Sequence, residues 1–240
     1  MKYGESAFDI IYLLFAVTAG ICILCRRRDR IGTLMGSAAL ILGCGDAFHL
    51  VPRVLDYFID ADLTAWLGIG KLVTSVTMTV FYVLMYLLWI NAYGRKKNKG
   101  LGAAVYALAA VRVILCLLPQ NKWLENDSPV VWGIIRNVPF VALGVIIVCL
   151  FFRTRKEIGT LRPVWLLVSL SFLFYIPVAV AAPLLPILGM LMLPKTVCYM
   201  ILIGVFLKYS KQIYQSFSNR YPGVYRCVIC VNCKMTPFMK

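Results

Sequence analysis

The sequence predicts an all-α, polytopic integral membrane protein of seven transmembrane helices, N-terminus outside and C-terminus cytoplasmic, and three observations carry that prediction. Hydrophobic residues make up 61% of the 240 positions and charged residues 15%, with a mean hydropathy of +0.83. A soluble domain of this composition would expose too much apolar surface to stay dispersed. Seven stretches approach the ~20 apolar residues that a ~30 Å hydrocarbon core requires. Finally, the cations are sorted onto alternate connections.

Taken in order, the first stretch runs from Phe8 to Cys25. It has no basic segment before it and no small-residue cleavage site after it, so it reads as a retained span and not a signal peptide. The second, Ile31 to Leu55, is apolar except where it carries Asp46, His49 and Arg53. The third is Thr64 to Ile90, the fourth Leu101 to Leu118, the fifth Val130 to Phe152, the sixth Pro163 to Ala182 and the seventh Met190 to Leu207. The connection Pro183 to Gly189 is apolar but broken by Pro183, Pro186 and Gly189. In lipid only helices or closed barrels satisfy the backbone. No strand-length alternation of apolar and polar residues runs through these segments, so each is expected to be a helix.

Orientation follows from the charges. One face collects Arg26, Arg27, Arg28 and Arg30, then Arg95, Lys96, Lys97 and Lys99, then Arg153, Arg155, Lys156 and Arg162, together with six Lys and Arg of the C-terminal tail. The other face has only Lys2 and Lys122, and carries Glu5, Asp9, Asp56, Asp60, Asp62, Glu125 and Asp127. By the positive-inside rule the first face is cytoplasmic. The net charge of +15 is therefore mainly topology and contact with an anionic inner leaflet. No nucleic-acid-binding motif is present, and nucleic acid is not an expected partner. The expected location is the plasma membrane, the cell inner membrane in a bacterium.

Of the 25 Lys and Arg, five remain inside the spans: Arg53, Lys71, Arg112, Arg136 and Lys195. Each comes from a different span, and counting ~1.5 Å per residue places all of them in the outer half of the bilayer. Asp46, His49 and Arg53 fall at i, i+3 and i+7 and share one helix face. Lys71 shares its face with Thr74 and Ser75; Arg136 precedes Asn137 and Pro139; Lys195 is followed on its face by Cys198 and Tyr199. Pro52, Pro139 and Pro194 lie beside these groups and free backbone carbonyls there. An ionisable group inside a membrane costs roughly 2.5 to 3.5 kcal/mol on insertion scales and marks a functional site by default. Asp46 is the only acid expected well inside the layer, so an outside anion should complete the balance. The ligand-binding set expected is Asp46, His49, Arg53, Lys71, Arg112, Arg136, Asn137, Lys195 and Tyr199. The plainer alternative is that Asp46 pairs with Lys71 or Lys195 and locks three helices together.

His49 is the only histidine. A zinc hydrolase site needs three protein ligands, and seven-span zinc hydrolases of the ceramidase type carry several histidines where this chain has one. Gly45-Asp46 within an apolar helix resembles the Gly-Asp of bacterial lysoplasmalogenase-type membrane hydrolases, a likeness of two residues. Lys195 in the seventh span, with the N-terminus outside, resembles retinal proteins, in which such a lysine forms a Schiff base. The seventh span lacks the acid one turn before the lysine that microbial rhodopsins show, and the third span has Lys71 where their counter-ion would stand. No residue role is carried over from either likeness, and no cofactor is expected.

Residues 1–207 are expected to form the transmembrane domain and 208–240 a cytoplasmic tail. The tail opens with an amphipathic stretch ending at Pro222-Gly223 and continues with Cys227, Cys230 and Cys233. These form the start of an iron-sulfur-type run without its fourth cysteine, and they are only weak metal candidates. The six other cysteines, Cys22, Cys25, Cys44, Cys116, Cys149 and Cys198, are expected to pack as small hydrophobes. The leading functional expectation is recognition, with transport or sensing, of a small anionic or lipid-headgroup ligand. The enzyme alternative is a membrane-embedded hydrolase using Asp46 and His49 as acid and base on a lipid-like substrate. The third is a structural or assembly subunit whose charges meet those of a membrane-protein partner.

Overall fold

A computed structural model describes residues 2–27, 29–59, 61–96, 98–125, 129–181 and 186–220. The described residues are helical with no strand, in seven long helices. These are α1 (Lys2–Arg26), α2 (Arg30–Phe58), α3 (Thr64–Ala92), α4 (Lys99–Leu117), α5 (Val130–Arg153), α6 (Val164–Ala181) and α7 (Met192–Arg220). All seven are long and apolar enough to cross a membrane.

Local chemistry sets the helix ends. Asp29 is extended and its Oδ1 accepts from the Gly32 N–H at 2.8 Å, starting α2. Asn98 Oδ1 accepts from Gly100 and Leu101 N–H groups at 2.9 and 3.2 Å, starting α4. Each satisfies backbone donors that a helix start leaves without partners. Asp62 accepts from the Thr64 N–H at 3.0 Å, and its hydrogen bonds to Thr64 hold its carboxyl below the usual carboxylate range.

The helices pack in chain order around a ring. α2 lies most extensively against α1 and α3, α4 bridges α3 and α5, and α6 joins α5 to α7, which returns against α1 and α2. Close approach of α2 and α3 depends on Gly70, where a Cβ would lie 2.8 Å from the His49 Cα and would strike the Phe48 carbonyl. The centre of the ring is aromatic. Tyr82 packs edge-on to Phe140 at 5.1 Å between centroids and tilted on Phe172 at 5.5 Å. Phe81 meets Tyr199 edge-on at 5.8 Å.

Three expectations change at this level. The stretch 208–220 is no separate helix: α7 runs unbroken from Met192 to Arg220, since no proline or glycine falls between Val205 and Arg220, and Tyr209 and Ile213 pack against the core. Four of the six span cysteines (Cys22, Cys25, Cys44 and Cys149) face outward, while Cys116 and Cys198 are buried. Asp9, sorted with the outer acids, is 4% exposed. Between α6 and α7, Pro186–Leu191 forms a short 3-10 segment. Pro183 lies outside the described residues, as do Pro222-Gly223 and Cys227, Cys230 and Cys233.

Candidate functional site

A cavity of about 520 Å³ opens among α2 to α7, near the end of the bundle where α1 begins. Lys71 lies seven residues from the start of α3, Arg112 five from the end of α4, Arg136 six into α5 and Lys195 three into α7. At ~1.5 Å per residue the four cations form one layer, about 5 to 11 Å below those helix ends. All four border the cavity, together with His49, Asn137 and Tyr175, and among the described residues no Asp or Glu does.

The most buried cation is Arg112, 2% exposed. Its guanidinium lies 3.5 Å from the centre of the Phe140 ring, and one Nη donates to Asn137 Oδ1 at 3.3 Å. Its Nε has no hydrogen-bond partner. Asn137 Oδ1 also accepts from the Tyr175 hydroxyl at 2.7 Å, while its amide donates to the Gly133 carbonyl at 2.8 Å. The Arg112 neighbours described here are thus a neutral amide and a ring, and neither cancels its charge.

Arg136 is held in the same manner by the α4–α5 connection. Asn121, fully buried, donates to the Leu115 and Leu118 carbonyls at 2.7 and 2.9 Å, and Trp123 Nε1 donates to the Cys116 carbonyl at 2.8 Å. These bonds serve carbonyls that the end of α4 leaves without helical partners. They also fold the connection inward, so that Asn121 Oδ1 accepts from Arg136 at 2.7 Å and the Trp123 ring lies 4.4 Å from its guanidinium. Lys195 Nζ stands 5.0 Å from the Tyr175 ring centre and 5.9 Å from that of Tyr199.

Of the nine residues expected at the site, His49, Lys71, Arg112, Arg136, Asn137 and Lys195 line the cavity. Asp46, Arg53 and Tyr199 do not. Tyr199 is buried behind it, its hydroxyl 3.1 Å from that of Tyr82. Arg53 forms an ion pair with Glu5 of α1. Both side chains of that pair are partly exposed, at 28% and 23%, so a Glu5→Gln and Arg53→Gln double-mutant cycle should give a coupling of no more than ~1 kcal/mol. The measurement is stability in mixed detergent titrations.

Asp46 points the other way, toward α1. The Tyr12 hydroxyl, on a fully buried ring, donates to Asp46 Oδ2 at 2.6 Å. Neither Lys71 nor Lys195 is within ion-pair distance of it, although the Lys195 charge reaches Asp46 electrostatically. Tyr12→Phe should cost about 1 to 3 kcal/mol by leaving Asp46 without this donor. Asp46→Asn should add little in the double variant, because the two act as a unit; unfolding midpoints of the three proteins check this.

The sequence reading missed Tyr12, Asn121, Trp123, Phe140 and Tyr175. Asn121 and Trp123 sit in a connection rather than a span, and the rings carry no charge to draw attention. Among the described residues no three His, Cys, Asp or Glu side chains come together to hold a metal. Comparison with protein-family models, with curated proteins and with solved structures finds no match.

Proposed function

We propose that the chain is a multi-pass plasma-membrane protein, N-terminus outside and C-terminus cytoplasmic, whose cavity binds a small anionic or lipid-headgroup ligand that it transports or senses. One observation carries this reading: four cations from four helices face a single cavity that no carboxylate among the described residues borders. Holding like charges together in a low-dielectric layer is costly, and an anion relieves that cost by binding there. Residues 1–207 supply the transmembrane domain. Residues 208–240 extend from it as the tail beside an anionic inner leaflet, which the basic loops would meet.

The hydrolase alternative has less support. It needs Asp46 and His49 to act on one substrate, whereas Asp46 is bound to Tyr12 away from the cavity. The assembly-subunit alternative places a partner's acids where the ligand would sit. The test is the melting temperature of the detergent-purified chain against carboxylates, phosphates and anionic phospholipids. A ligand that binds only the folded state raises it by mass action. If no anion raises the melting temperature, the binding reading is wrong.

A further inference from the structure

A second recess lies at the opposite end of the bundle from the cation layer, where α3 and α5 end and α4 begins. It holds about 380 Å³, and its lining changes with depth. Trp89 and Leu150 stand three residues from the ends of α3 and α5, Leu101 two into α4, and Tyr86 six from the end of α3. At ~1.5 Å per residue this apolar part reaches about 3 to 9 Å inward from the helix ends. Arg95, Lys96, Arg153 and Glu157 border the same recess at or beyond those ends.

One wall is tied by hydrogen bonds. Trp89 Nε1 donates to the Thr154 hydroxyl at 3.1 Å, and that hydroxyl donates to the Leu150 carbonyl at 3.0 Å. Tyr86 is the exception. The residue is 2% exposed, it borders the recess, and among the described residues nothing hydrogen-bonds its hydroxyl. Beside that hydroxyl lies Gly102, where a Cβ would come within 3.3 Å of it; the glycine leaves the oxygen uncovered on that side. A buried hydroxyl without a partner is costly until one arrives.

The rim carries positive charge that the fold does not balance. Arg95 pairs with Glu157, while Lys96 and Arg153 have no carboxylate within ion-pair distance among the described residues. Of the ten Asp and Glu in the chain, the charge sorting puts only Asp29 and Glu157 at this end, and Asp29 caps α2. Exposed cations by themselves are solvated; the uncovered hydroxyl beneath them marks a ligand's place. Gly102 sets the level of that hydroxyl, three residues into α4 and so about 5 Å inward from the rim. Cations at the rim, a donor one step deeper and apolar side chains below follow the order of phosphate, ester and hydrocarbon in a bilayer lipid. Basic recesses between helices on the cytoplasmic side suit such headgroups.

We propose that this recess binds one anionic phospholipid of the adjoining leaflet. Lys96 and Arg153 hold its phosphate, the Tyr86 hydroxyl donates to an ester carbonyl beneath, and the first methylenes lie against Trp89 and Leu150. The site is separate from the outer cavity and does not depend on that cavity's binding an anion.

The test is calorimetric titration of the full chain in non-ionic detergent with dihexanoyl phosphatidylglycerol, dihexanoyl phosphatidylcholine and glycerol phosphate. Phosphatidylglycerol should bind at least about tenfold more tightly than either of the others, because choline meets the cations unfavourably and glycerol phosphate lacks esters and chains. Lys96→Gln with Arg153→Gln should weaken it about tenfold, and Tyr86→Phe, which keeps the ring, about three- to tenfold. Arg27→Gln with Lys208→Gln removes as much charge from exposed positions outside the recess, and Arg136→Gln alters the outer cavity; both should bind as wild type does. Equal binding of phosphatidylcholine, or no binding at all, overturns the site. Equal binding of glycerol phosphate overturns the lipid in favour of a phosphate drawn from water. Undiminished binding by Tyr86→Phe, or an equal loss in the Arg27 and Lys208 variant, reduces the site to a diffuse field and overturns it. A loss confined to Arg136→Gln moves the lipid to the outer cavity, which overturns this proposal and leaves the anion-binding reading in place.

Discussion

Gly68→Ala should be among the most damaging single substitutions in the chain, lowering stability by about 3 kcal/mol or more, at the upper end of overpacking costs. Gly68 is buried near the start of α3, and a Cβ there would strike the Trp123 carbonyl oxygen and lie 2.6 Å from its carbon. The obstacle is backbone, which cannot rotate aside as a side-chain tip does. Relief requires the α4–α5 connection to lift, and the connection is tied down by Asn121 and Trp123 through carbonyls at the end of α4. Lifting it would also withdraw the Trp123 ring and Asn121 oxygen from Arg136. Gly68→Ala should therefore weaken anion binding as well as folding. Gly4→Ala, where a Cβ meets nothing within 4 Å, should do neither. Melting temperature and anion titration on the two variants decide the matter.

The second large effect is on ligand response rather than on the apo protein. A ligand at one hundred times its Kd stabilises the folded state by ~2.7 kcal/mol, a shift of about 5 to 10 °C for a chain of this size. Truncating one partner of a buried, hydrogen-bonded charge pair costs about 2 to 5 kcal/mol of binding, enough to remove nearly all of that shift. Arg136→Gln should show this loss with a melting temperature close to wild type in the absence of anion. Its side chain is only half-buried, and a glutamine amide can still donate to Asn121. Arg112→Gln should lose both, since Arg112 also fills the space over Phe140. A preserved anion shift in Arg136→Gln would place the anion elsewhere.

The seven helices were legible because each long apolar segment must be helical, and every one of the seven expected spans falls within or close to a helix. The cation layer was legible too, because charges in apolar runs stand out and helical rise gives their depth. Direction around each helix was not. Asp46 and His49 lie three residues apart, close enough in angle to predict a shared face, yet Asp46 turns to Tyr12 and His49 to the cavity. A separation of about 60° between them is small on paper and decisive at a three-helix junction. Arg53 followed the same rule and met Glu5, a residue whose depth the first span's expected start at Phe8 had placed outside. The aromatic half of the site was hidden for another reason: a ring beside a cation is recognised by geometry, and the sequence places Arg112 and Phe140 on different helices, 28 positions apart.

The unbroken course of α7 makes it a mechanical lever. Lys195 sits near one end, and the helix continues for about 38 Å to Arg220, helical through Gly204. A tilt of about 5° imposed where Lys195 meets the cavity would swing the distant end sideways by about 3 Å. Near that end Gln212 is joined to Thr160, whose hydroxyl donates to its Oε1 at 2.6 Å, so the stroke would be delivered to the α5–α6 connection rather than lost in the tail. A charge rearrangement at the cavity would thereby become a displacement near the far end of α7.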